Sequence, residues 1–256
     1  MKIGVIGLGL IGGSIFKALK NKGKYEVVGV SSSVKEDDVT TDYNTLIDCD
    51  LVFVCSPMNA TINVLNKLNT ILSSNTIVAD VCSLKKFVTE KKYNFKFIPS
   101  HPMAGTEHKG WENSFPELFN GAKWAITPID GMILPEQETL EEIIKELGAE
   151  PIITTPEEHD KAVALISHLP LVIAQALCEN IKNNPLAQAL VASGFRDTTR
   201  LALSNEEMAT DMVNMNNENI LSSMNSMVDY AQNLLNTGEY QTEAKRIKEF
   251  RKKLYS

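Results

Sequence analysis

Apolar and polar residues alternate in two different ways along this chain. Up to about residue 154, short β-branched runs alternate with segments in which apolar residues recur at helical spacing, such as Leu140, Ile143, Ile144 and Leu147. This alternation is typical of βαβ units and of a mainly parallel sheet. The runs predicted as strands are residues 3–6, 26–30, 50–55, 76–80, 96–99, 123–127 and 151–154.

The strand pattern stops after about residue 155, where the chain becomes rich in Ala, Leu, Met, Asn and Gln with helical periodicity. We therefore predict an α/β domain over residues 1–154, followed by an all-α domain over residues 155–256. One predicted helix carries a single apolar stripe, made of Ile220, Met224, Met227, Val228, Ala231, Leu234 and Leu235. A core-facing helix is the favoured interpretation of this stripe, and a dimer surface is the alternative.

A glycine-rich turn directly follows the first predicted strand and opens the first helix. It consists of Gly7, Leu8, Gly9, Leu10, Ile11 and Gly12. In a G-x-G-x-x-G turn the first glycine permits the tight turn, the second lets the backbone approach a pyrophosphate, and the third allows close helix–strand packing. The amides at the helix N-terminus then bind the negative charge. The position of this motif in a βαβ unit predicts a Rossmann domain that binds a nicotinamide or flavin dinucleotide through these six residues.

The end of the second strand bears on which dinucleotide is bound. A carboxylate at this point would bind the ribose 2′-hydroxyl of NAD+, but the strand is followed by Ser31 and Ser32, with Lys35 close by. Small hydroxyl residues leave room for a 2′-phosphate, so both NAD+ and NADP+ stay open as the cofactor. We expect Ser31 and Ser32 to contact the cofactor, together with Ser56 and Pro57 after the third strand.

Composition and charge exclude several classes of protein. The 256 residues include 25 Lys and Arg against 32 Asp and Glu, and the resulting net charge of −7 argues against a nucleic-acid binder. The N-terminal residues predict no export signal, and no apolar run reaches the roughly 18–20 residues of a membrane span. We therefore expect a cytoplasmic protein that contacts neither nucleic acid nor membrane. The four histidines show no metal-ligand spacing, so no metal site is predicted.

Two short polar segments follow strands of the predicted sheet and carry candidate catalytic groups. His101 follows the strand at residues 96–99, and ligands of such sheets bind at the carboxyl ends of the strands. An imidazole suits the removal of a hydroxyl proton near neutral pH while a hydride leaves the same carbon. Ser83 follows the neighbouring strand at residues 76–80, where it could either orient the imidazole or cap a helix.

The helical half contributes a second histidine and two arginines. His168 lies where Pro170 interrupts a helix, and a capped or core histidine is the favoured interpretation from the residues alone. Arg196 and Arg200 are four residues apart and share a helix face, so together or singly they could bind a substrate carboxylate bidentately. A surface ion pair with Asp197 explains this charged segment equally well.

Five short motifs in a fixed order resemble those of the prephenate dehydrogenase family, the dehydrogenases of tyrosine biosynthesis. They are G-L-G-L-I-G-G-S at residues 7–14, D-V-C-S-L-K at 80–85, H-P-M-A-G-T-E at 101–107, S-H-L-P at 167–170 and G-F-R-D-T-T-R at 194–200. The resemblance covers almost the whole chain. It implies a Rossmann domain followed by a helical dimerisation domain, and hence a homodimer. We expect a monofunctional enzyme, without the chorismate mutase or ACT-type domains that are fused to some relatives.

The resemblance also implies an activity, the oxidative decarboxylation of prephenate to 4-hydroxyphenylpyruvate and CO2 with hydride transfer to NAD(P)+. Carried over to the matching positions, His101 accepts the hydrogen bond or proton of the ring hydroxyl, Ser83 orients His101 and contacts the substrate, and His168 shapes the pocket. Arg200 binds the ring carboxylate. The other residues that the resemblance assigns to substrate binding are Thr106, Glu107, Arg196 and Asp197, of which Glu107 and Asp197 join Arg200 in an ionic network.

One departure from the family and three alternative functions stay open. Ala209 stands where the family often has a tryptophan, so tyrosine sensing through that aromatic does not follow from the resemblance. Arogenate dehydrogenase shares the mechanism, and none of the five motifs recognises the end at which the two substrates differ. A β-hydroxyacid dehydrogenase is more distant, because that family relies on a lysine in its helical domain. The non-enzyme alternative is a dinucleotide-binding redox sensor, which binds cofactor without turnover.

Overall fold

Six parallel strands form the main sheet in a computed structural model of the chain, which describes residues 1–106, 108–129 and 135–255. In chain order they are β1 (Lys2–Ile6), β2 (Glu26–Val30), β3 (Val39–Thr40), β4 (Leu51–Val54), β5 (Ile77–Asp80) and β6 (Lys96–Phe97). Their order across the sheet is β3-β2-β1-β4-β5-β6. Strands β2 and β3 are added on one side of β1 and strands β4 to β6 on the other, so the strand order reverses at the neighbouring strands β1 and β4. Ligands of open α/β sheets bind in the crevice that such a reversal creates at the carboxyl ends of the strands.

Helices pack on both faces of this sheet: α1 (Leu10–Lys22), α2 (Met58–Leu68), α3 (Lys86–Thr89) and α4 (Pro135–Glu146). Leu19 of α1 and Ile144 of α4 share one apolar cluster with Phe53 of β4. Leu68 of α2 lies in a second cluster with Val54, which follows Phe53 in β4 and has its side chain on the opposite face of the sheet. Both faces of the strands are thereby buried, which is why parallel strands have continuous apolar runs in the sequence.

A second sheet, which the apolar pattern does not predict, contains three short strands: β7 (Ser100–Pro102), β8 (Lys123–Ile126) and β9 (Glu150–Ile153). β7 runs antiparallel to β8, and β9 runs parallel to β8. The strand predicted at residues 96–99 is observed only as β6, and β7, which was not predicted, begins directly after Pro99. Proline has no N–H group with which to continue the hydrogen bonds that join β6 to β5. As a result, His101 lies inside a strand opposite Ala125, and not in the loop expected for it.

The second half of the chain is helical, so the predicted order of an α/β sheet domain and then an all-α domain is confirmed. Its helices are α5 (Pro156–Val163), α6 (Leu169–Ile181), α7 (Pro185–Ala189), α8 (Ser193–Thr199), α9 (Glu206–Met215), α10 (Asn217–Asn236) and α11 (Tyr240–Lys253). A widened π-helical turn, Ala164–His168, joins α5 to α6 just before Pro170. The domain boundary that we propose at residues 154 and 155 lies in the turn between β9 and α5.

The apolar stripe on α10 is not part of the core of the single chain. Ile220 is the buried residue of this helix, whereas Val228 and Leu235 are 39% and 78% exposed. The favoured interpretation of the stripe as a core-facing surface is therefore confirmed for Ile220 and wrong for its exposed residues, which are Val228, Ala231 and Leu235, while Met224, Met227 and Leu234 are half-buried. A helix face of this kind is available to pack against another chain.

One helical stretch among the described residues, Pro156 to Ile181, is long and apolar enough to cross a membrane by length and composition. The expectation that no apolar segment is long enough to span a membrane is therefore wrong when helix length and composition are the test. The core helix of a soluble protein meets the same test, and this stretch buries His159, Asp160 and His168 among its polar residues. The finding is weak evidence for a membrane segment.

Candidate active site

The glycine turn between β1 and α1 has the shape of a diphosphate cradle. Gly7 has a φ of +82°, and a Cβ atom on Gly12 would lie 2.1 Å from the carbonyl oxygen of Gly7. Side chains at these two positions would therefore break the turn. A Cβ atom on Gly9, by contrast, would meet nothing within 4 Å, and no side chain caps the N-terminus of α1 there. The open space and uncapped amides fit the pyrophosphate of a dinucleotide.

The other residues assigned to the cofactor lie around this turn. Ser56 follows β4, and its backbone nitrogen would lie 3.2 Å from a Cβ atom on Gly7, so Ser56 and Pro57 border the cradle. At the end of β2, Ser31 donates its backbone N–H to the carbonyl oxygen of Thr40, and Ser32 is exposed. No carboxylate stands directly after β2, which leaves this end open to either a ribose hydroxyl or a phosphate.

His101 is hydrogen-bonded to a residue that the sequence pattern did not single out as catalytic. Its Nδ1 atom lies 3.0 Å from Nε2 of His159, a buried residue of α5. The other ring nitrogen of His159, Nδ1, lies 2.9 Å from Oδ1 of Asp160. His101 Nε2 makes no hydrogen bond to the described part of the chain. The three side chains therefore form a line that begins at a carboxylate and ends at a ring nitrogen available to a ligand.

The hydrogen bonds in this line assign one tautomer to each ring when both rings are neutral. A carboxylate only accepts, so His159 Nδ1 carries the proton that it donates to Asp160. Neutral His159 is then an acceptor at Nε2, and His101 donates its Nδ1 proton to it. His101 Nε2 consequently holds a lone pair. This assignment makes His101 an acceptor of a hydrogen bond or a proton, as its predicted role requires.

The surroundings keep the imidazoles of His101 and His168 neutral. Burial holds the pKa of His101 well below its usual value of 6.5, and any positive charge on His159, Lys85 or His168 acts in the same direction. Burial also lowers the pKa of His168 to about 4, although the carboxylate of Asp160 opposes this shift. Both rings are therefore uncharged at neutral pH.

His168 is 1% exposed and has its own positioning contact. The Nδ2 atom of Asn216, between α9 and α10, lies 3.1 Å from His168 Nδ1 and donates a second hydrogen bond to the carbonyl oxygen of Asp160 at 2.8 Å. Because the amide nitrogen only donates, His168 Nδ1 accepts and Nε2 carries the proton. His168 thus presents a hydrogen-bond donor where His101 presents an acceptor.

Ser83 does not make the contact expected of it. Its hydroxyl donates to the sulfur of Met58 at 3.2 Å, and the orienting contact on His101 comes from His159. Ser83 does not cap α3 either, since that helix has Lys85 at its N-cap position. Contact between Ser83 and a substrate stays a prediction.

A buried ion pair supports the strand ends beneath the site. Lys85 and Asp80 are both 0% exposed, and Lys85 Nζ donates to Asp80 and to the carbonyl oxygen of Ser100 at 2.6 Å. Asp80 also accepts the backbone N–H groups of Cys82 at 2.9 Å and Ser100 at 3.2 Å. The pair therefore fastens the end of β5 to the start of β7, the strand that carries His101.

Among the described residues predicted to bind the substrate carboxylate, Arg196 and Asp197 are the pair joined by an ion pair. Arg200 is exposed and makes no ion pair with any residue that the structure describes. Arg196 and Asp197 approach each other at 3.5 Å on the surface, both more than 70% exposed at their side chains. Thr106 is exposed and accepts the backbone N–H of His108, while Glu107 lies outside the described residues. The ionic network of Arg200, Asp197 and Glu107 stays a prediction.

Sequence reasoning missed His159, Asp160 and Asn216. His159 and Asp160 follow one another in the middle of α5, and polar residues are common on the solvent-facing side of a helix. Their burial, 4% and 5% exposed, is the feature that separates them from ordinary surface residues. No local pattern in the sequence reports that burial.

Two family models together match nearly all of the chain. The model described as "Prephenate dehydrogenase, nucleotide-binding domain" matches residues 17–165, and "Prephenate dehydrogenase, dimerization domain" matches residues 155–253. A curated relative, the prephenate dehydrogenase of Lactococcus lactis, is 31% identical over 240 residues. That alignment covers 85% of this chain and 65% of the relative, so the chain spans less than two thirds of the relative's length.

Solved structures of similar proteins have the same fold over almost their full length. The arogenate dehydrogenase of Synechocystis is 31% identical, with a TM-score of 0.83 and coverage of 98% of this chain and 97% of that one. The prephenate dehydrogenase of A. aeolicus, in complex with hydroxyphenyl propionate and NAD+, is 26% identical, with a TM-score of 0.84 and coverage of 99% and 96%. Proteins similar to this chain therefore differ in the substrate that they are named for.

Proposed function

The chain belongs to the prephenate dehydrogenase family, and from this premise we propose that it converts prephenate into 4-hydroxyphenylpyruvate and CO2 with NAD+ or NADP+ as the hydride acceptor. The observation that carries the proposal is the state of His101, whose Nε2 lone pair is left available by a hydrogen bond at Nδ1. A dinucleotide-binding sensor has no need of such an acceptor.

The proposed reaction removes a hydride and a carboxylate from one ring. It also requires a group that accepts the hydroxyl proton and later returns it. A nicotinamide dinucleotide held by the turn from Gly7 to Gly12 would supply the acceptor for the hydride of the ring carbon that bears the hydroxyl. His101 Nε2 accepts the hydroxyl proton as that carbon becomes a carbonyl. Loss of CO2 from the opposite ring carbon makes the ring aromatic and leaves negative charge on the same oxygen, which takes the proton back from His101. No net proton is released, and His101 returns to its neutral form.

The substrate has charged groups that the chain must recognise. We propose that Arg200 binds the ring carboxylate and that His168 donates its Nε2 proton to a substrate oxygen. Asp197, Arg196, Thr106 and Glu107 complete the carboxylate-binding side in this proposal, and Ser83 contacts the substrate near His101. An exposed guanidinium suits this role because its planar fork binds a carboxylate through two parallel hydrogen bonds.

Replacing Arg200 with Ala should mainly raise KM. Loss of a charge-assisted pair costs about 2–3 kcal/mol of binding, which corresponds to a KM about 30- to 150-fold higher at similar kcat. Steady-state kinetics with varied prephenate measure this effect. Arg251→Ala, on the exposed face of α11, is a matched control and should leave KM unchanged. Unaltered prephenate affinity in the Arg200 variant would remove Arg200 from the carboxylate site.

The experiment that tests the function is a grid of two substrates against two cofactors. Purified protein is mixed with prephenate or arogenate and with NAD+ or NADP+, and formation of reduced nicotinamide is followed by absorbance. We expect turnover of prephenate. Turnover of arogenate alone would establish the alternative substrate, and silence in all four mixtures with cofactor binding intact would favour the redox sensor. The cofactor columns decide between NAD+ and NADP+, for which the serines after β2 permit both.

We further propose that the protein is a cytoplasmic homodimer. The family model that matches residues 155–253 is described as a dimerization domain, and the helical half leaves large apolar side chains exposed, including Leu203, Leu235 and Phe250. A second copy of the chain would cover such surface.

A further inference from the structure

The acceptor state of His101 depends on two residues of the helical half. We propose that His159 and Asp160 act as a positioning pair: they hold His101 in the tautomer with a free Nε2 atom, and they stabilise the positive charge that His101 gains when it takes a proton. This inference rests on the proposed function in one respect only, namely that the proton comes from a substrate hydroxyl.

Asp160 is the fixed end of the pair. Its Oδ1 atom accepts the backbone N–H of Lys85 at 2.8 Å, and its Oδ2 atom accepts the backbone N–H of Lys86 at 3.0 Å. Its own carbonyl oxygen is held by Asn216 at 2.8 Å. A carboxylate that accepts several hydrogen bonds in its charged form is stabilised as the anion. Asp160 therefore offers a rigid negative charge to His159.

His159 carries the effect of that charge to His101. Its Nδ1 proton is committed to Asp160 at 2.9 Å, so Nε2 is left as an acceptor that faces His101 Nδ1 at 3.0 Å. The two rings are nearly perpendicular, at 76°, with their centroids 5.2 Å apart. With its Nδ1 proton held in this hydrogen bond, the His101 ring can be neutral only in the form whose lone pair is on Nε2.

Proton transfer strengthens the same contacts. When His101 Nε2 takes a proton, the Nδ1–H group becomes part of an imidazolium, and its hydrogen bond to His159 becomes charge-assisted. The Nδ1 proton can also move across to His159 Nε2, which leaves His101 neutral and places the positive charge beside Asp160. In both cases the positive charge on the histidine pair is stabilised until a proton returns from His101 Nε2 to the substrate oxygen.

The other ionisable groups around His101 do not supply this stabilisation. Lys85, before α3, and His168, at the start of α6, both disfavour positive charge on His101. Asp80, at the end of β5, is engaged by Lys85 in a buried ion pair. Of the carboxylates described at the site, Asp160 is the one joined to His101 by hydrogen bonds. It lies on α5 whereas His101 lies on β7, so the base is completed by contact between the two halves of the chain.

Two variants of one residue separate positioning from packing. His159→Leu removes the acceptor for His101 Nδ1–H, whereas His159→Gln can retain an acceptor oxygen but cannot take up a proton. We expect kcat to fall by about 100-fold in the Leu variant and by about tenfold in the Gln variant, since acid–base catalysis contributes about 10²- to 10⁴-fold. KM for the substrate should change by less than about threefold in both. Lys161→Leu, on the exposed face of α5, is the control and should leave kcat unchanged.

A second readout does not depend on turnover. The chain has four histidines, so ¹⁵N-labelled imidazoles can be assigned by single substitutions and their tautomers read from long-range ¹H–¹⁵N correlation spectra of the intact protein. We expect His101 to be protonated at Nδ1 in the unsubstituted protein and in His159→Gln, and to lose this preference in His159→Leu. Asp160→Asn should reduce the preference as well, because His159 is then free to change tautomer.

The outcomes are distinct. A His101 ring protonated at Nε2 in the unsubstituted protein, or a His159→Leu variant that keeps both its tautomer and its kcat, would overturn the positioning pair. If the Leu variant does not fold, the spectrum of the unsubstituted protein and the kinetics of the Gln variant decide the question. The spectra could show His101 protonated at Nδ1 while the protein turns over neither prephenate nor arogenate. That result would refute the proposed function and leave the positioning pair in place.

Discussion

Replacing His101 with Asn should lower kcat by about 10³-fold and change KM by less than about threefold. The amide of Asn approximates the size and polarity of the imidazole, so the substrate still binds. It cannot take up the hydroxyl proton, however, and a positioned base contributes about 10²- to 10⁴-fold to rate. Initial rates of reduced-nicotinamide formation over a range of substrate concentrations measure both constants.

The control for this variant is cofactor affinity, which should stay unchanged because the glycine turn is separate from β7. A variant with normal kcat would exclude His101 from the mechanism. A parallel rise in KM would instead assign His101 to ground-state binding.

The pH dependence of the unsubstituted protein tests the same assignment. A base must be unprotonated to act, and burial holds the pKa of His101 well below 6.5. We therefore expect kcat/KM to stay constant as the pH falls through 6.5 and to decline only at more acidic values, since this quantity reports groups of the free enzyme. A loss of half the activity near pH 6.5 would contradict the neutral, desolvated imidazole.

Replacing Lys85 with Met should lower the free energy of unfolding by about 3–5 kcal/mol, the usual effect of removing one partner of a buried ion pair. Met is close to Lys in volume, so the packing changes little. The carboxylate of Asp80 would, however, lose its counter-ion at a site with no exposed surface. The carbonyl oxygen of Ser100 would lose its partner as well. Urea unfolding followed by tryptophan fluorescence measures the change.

Lys86→Met is the matched control, because Lys86 is the next residue along the chain and is exposed. We expect a change within about 0.5 kcal/mol for it. The double variant Asp80→Asn with Lys85→Met should be more stable than Lys85→Met alone, because it removes the unpaired charge. Equal stability of the Lys85 and Lys86 variants would show that the buried pair does not stabilise the fold.

The local features of the α/β half could be predicted because each depends on neighbouring residues. The strands predicted at residues 26–30 and 76–80 match β2 and β5 to within one residue. The turn from Gly7 to Gly12 has the predicted shape because a positive φ and a 2.1 Å approach leave room for glycine alone. Backbone sterics of this kind act within a few residues and are visible in the sequence itself.

Other features could not be predicted because they depend on residues far apart in the chain. The pairing of β7 with β8, which draws His101 into a strand, joins segments more than twenty residues apart. The partner of His101 lies 58 positions away, at His159. The exposure of the stripe on α10 follows from where the other helices pack and not from its own period.

The sequence by itself determined the order of the two domains, the dinucleotide turn and the family, since these depend on local periodicity and on motifs that need no partner. Only the tertiary structure decided which ring nitrogen of His101 is free and which lysine is paired in the core. A tautomer is determined by the atom that accepts the proton, and a buried charge is stable only beside its counter-ion. Both depend on residues that folding brings together, and no spacing along the chain records that proximity.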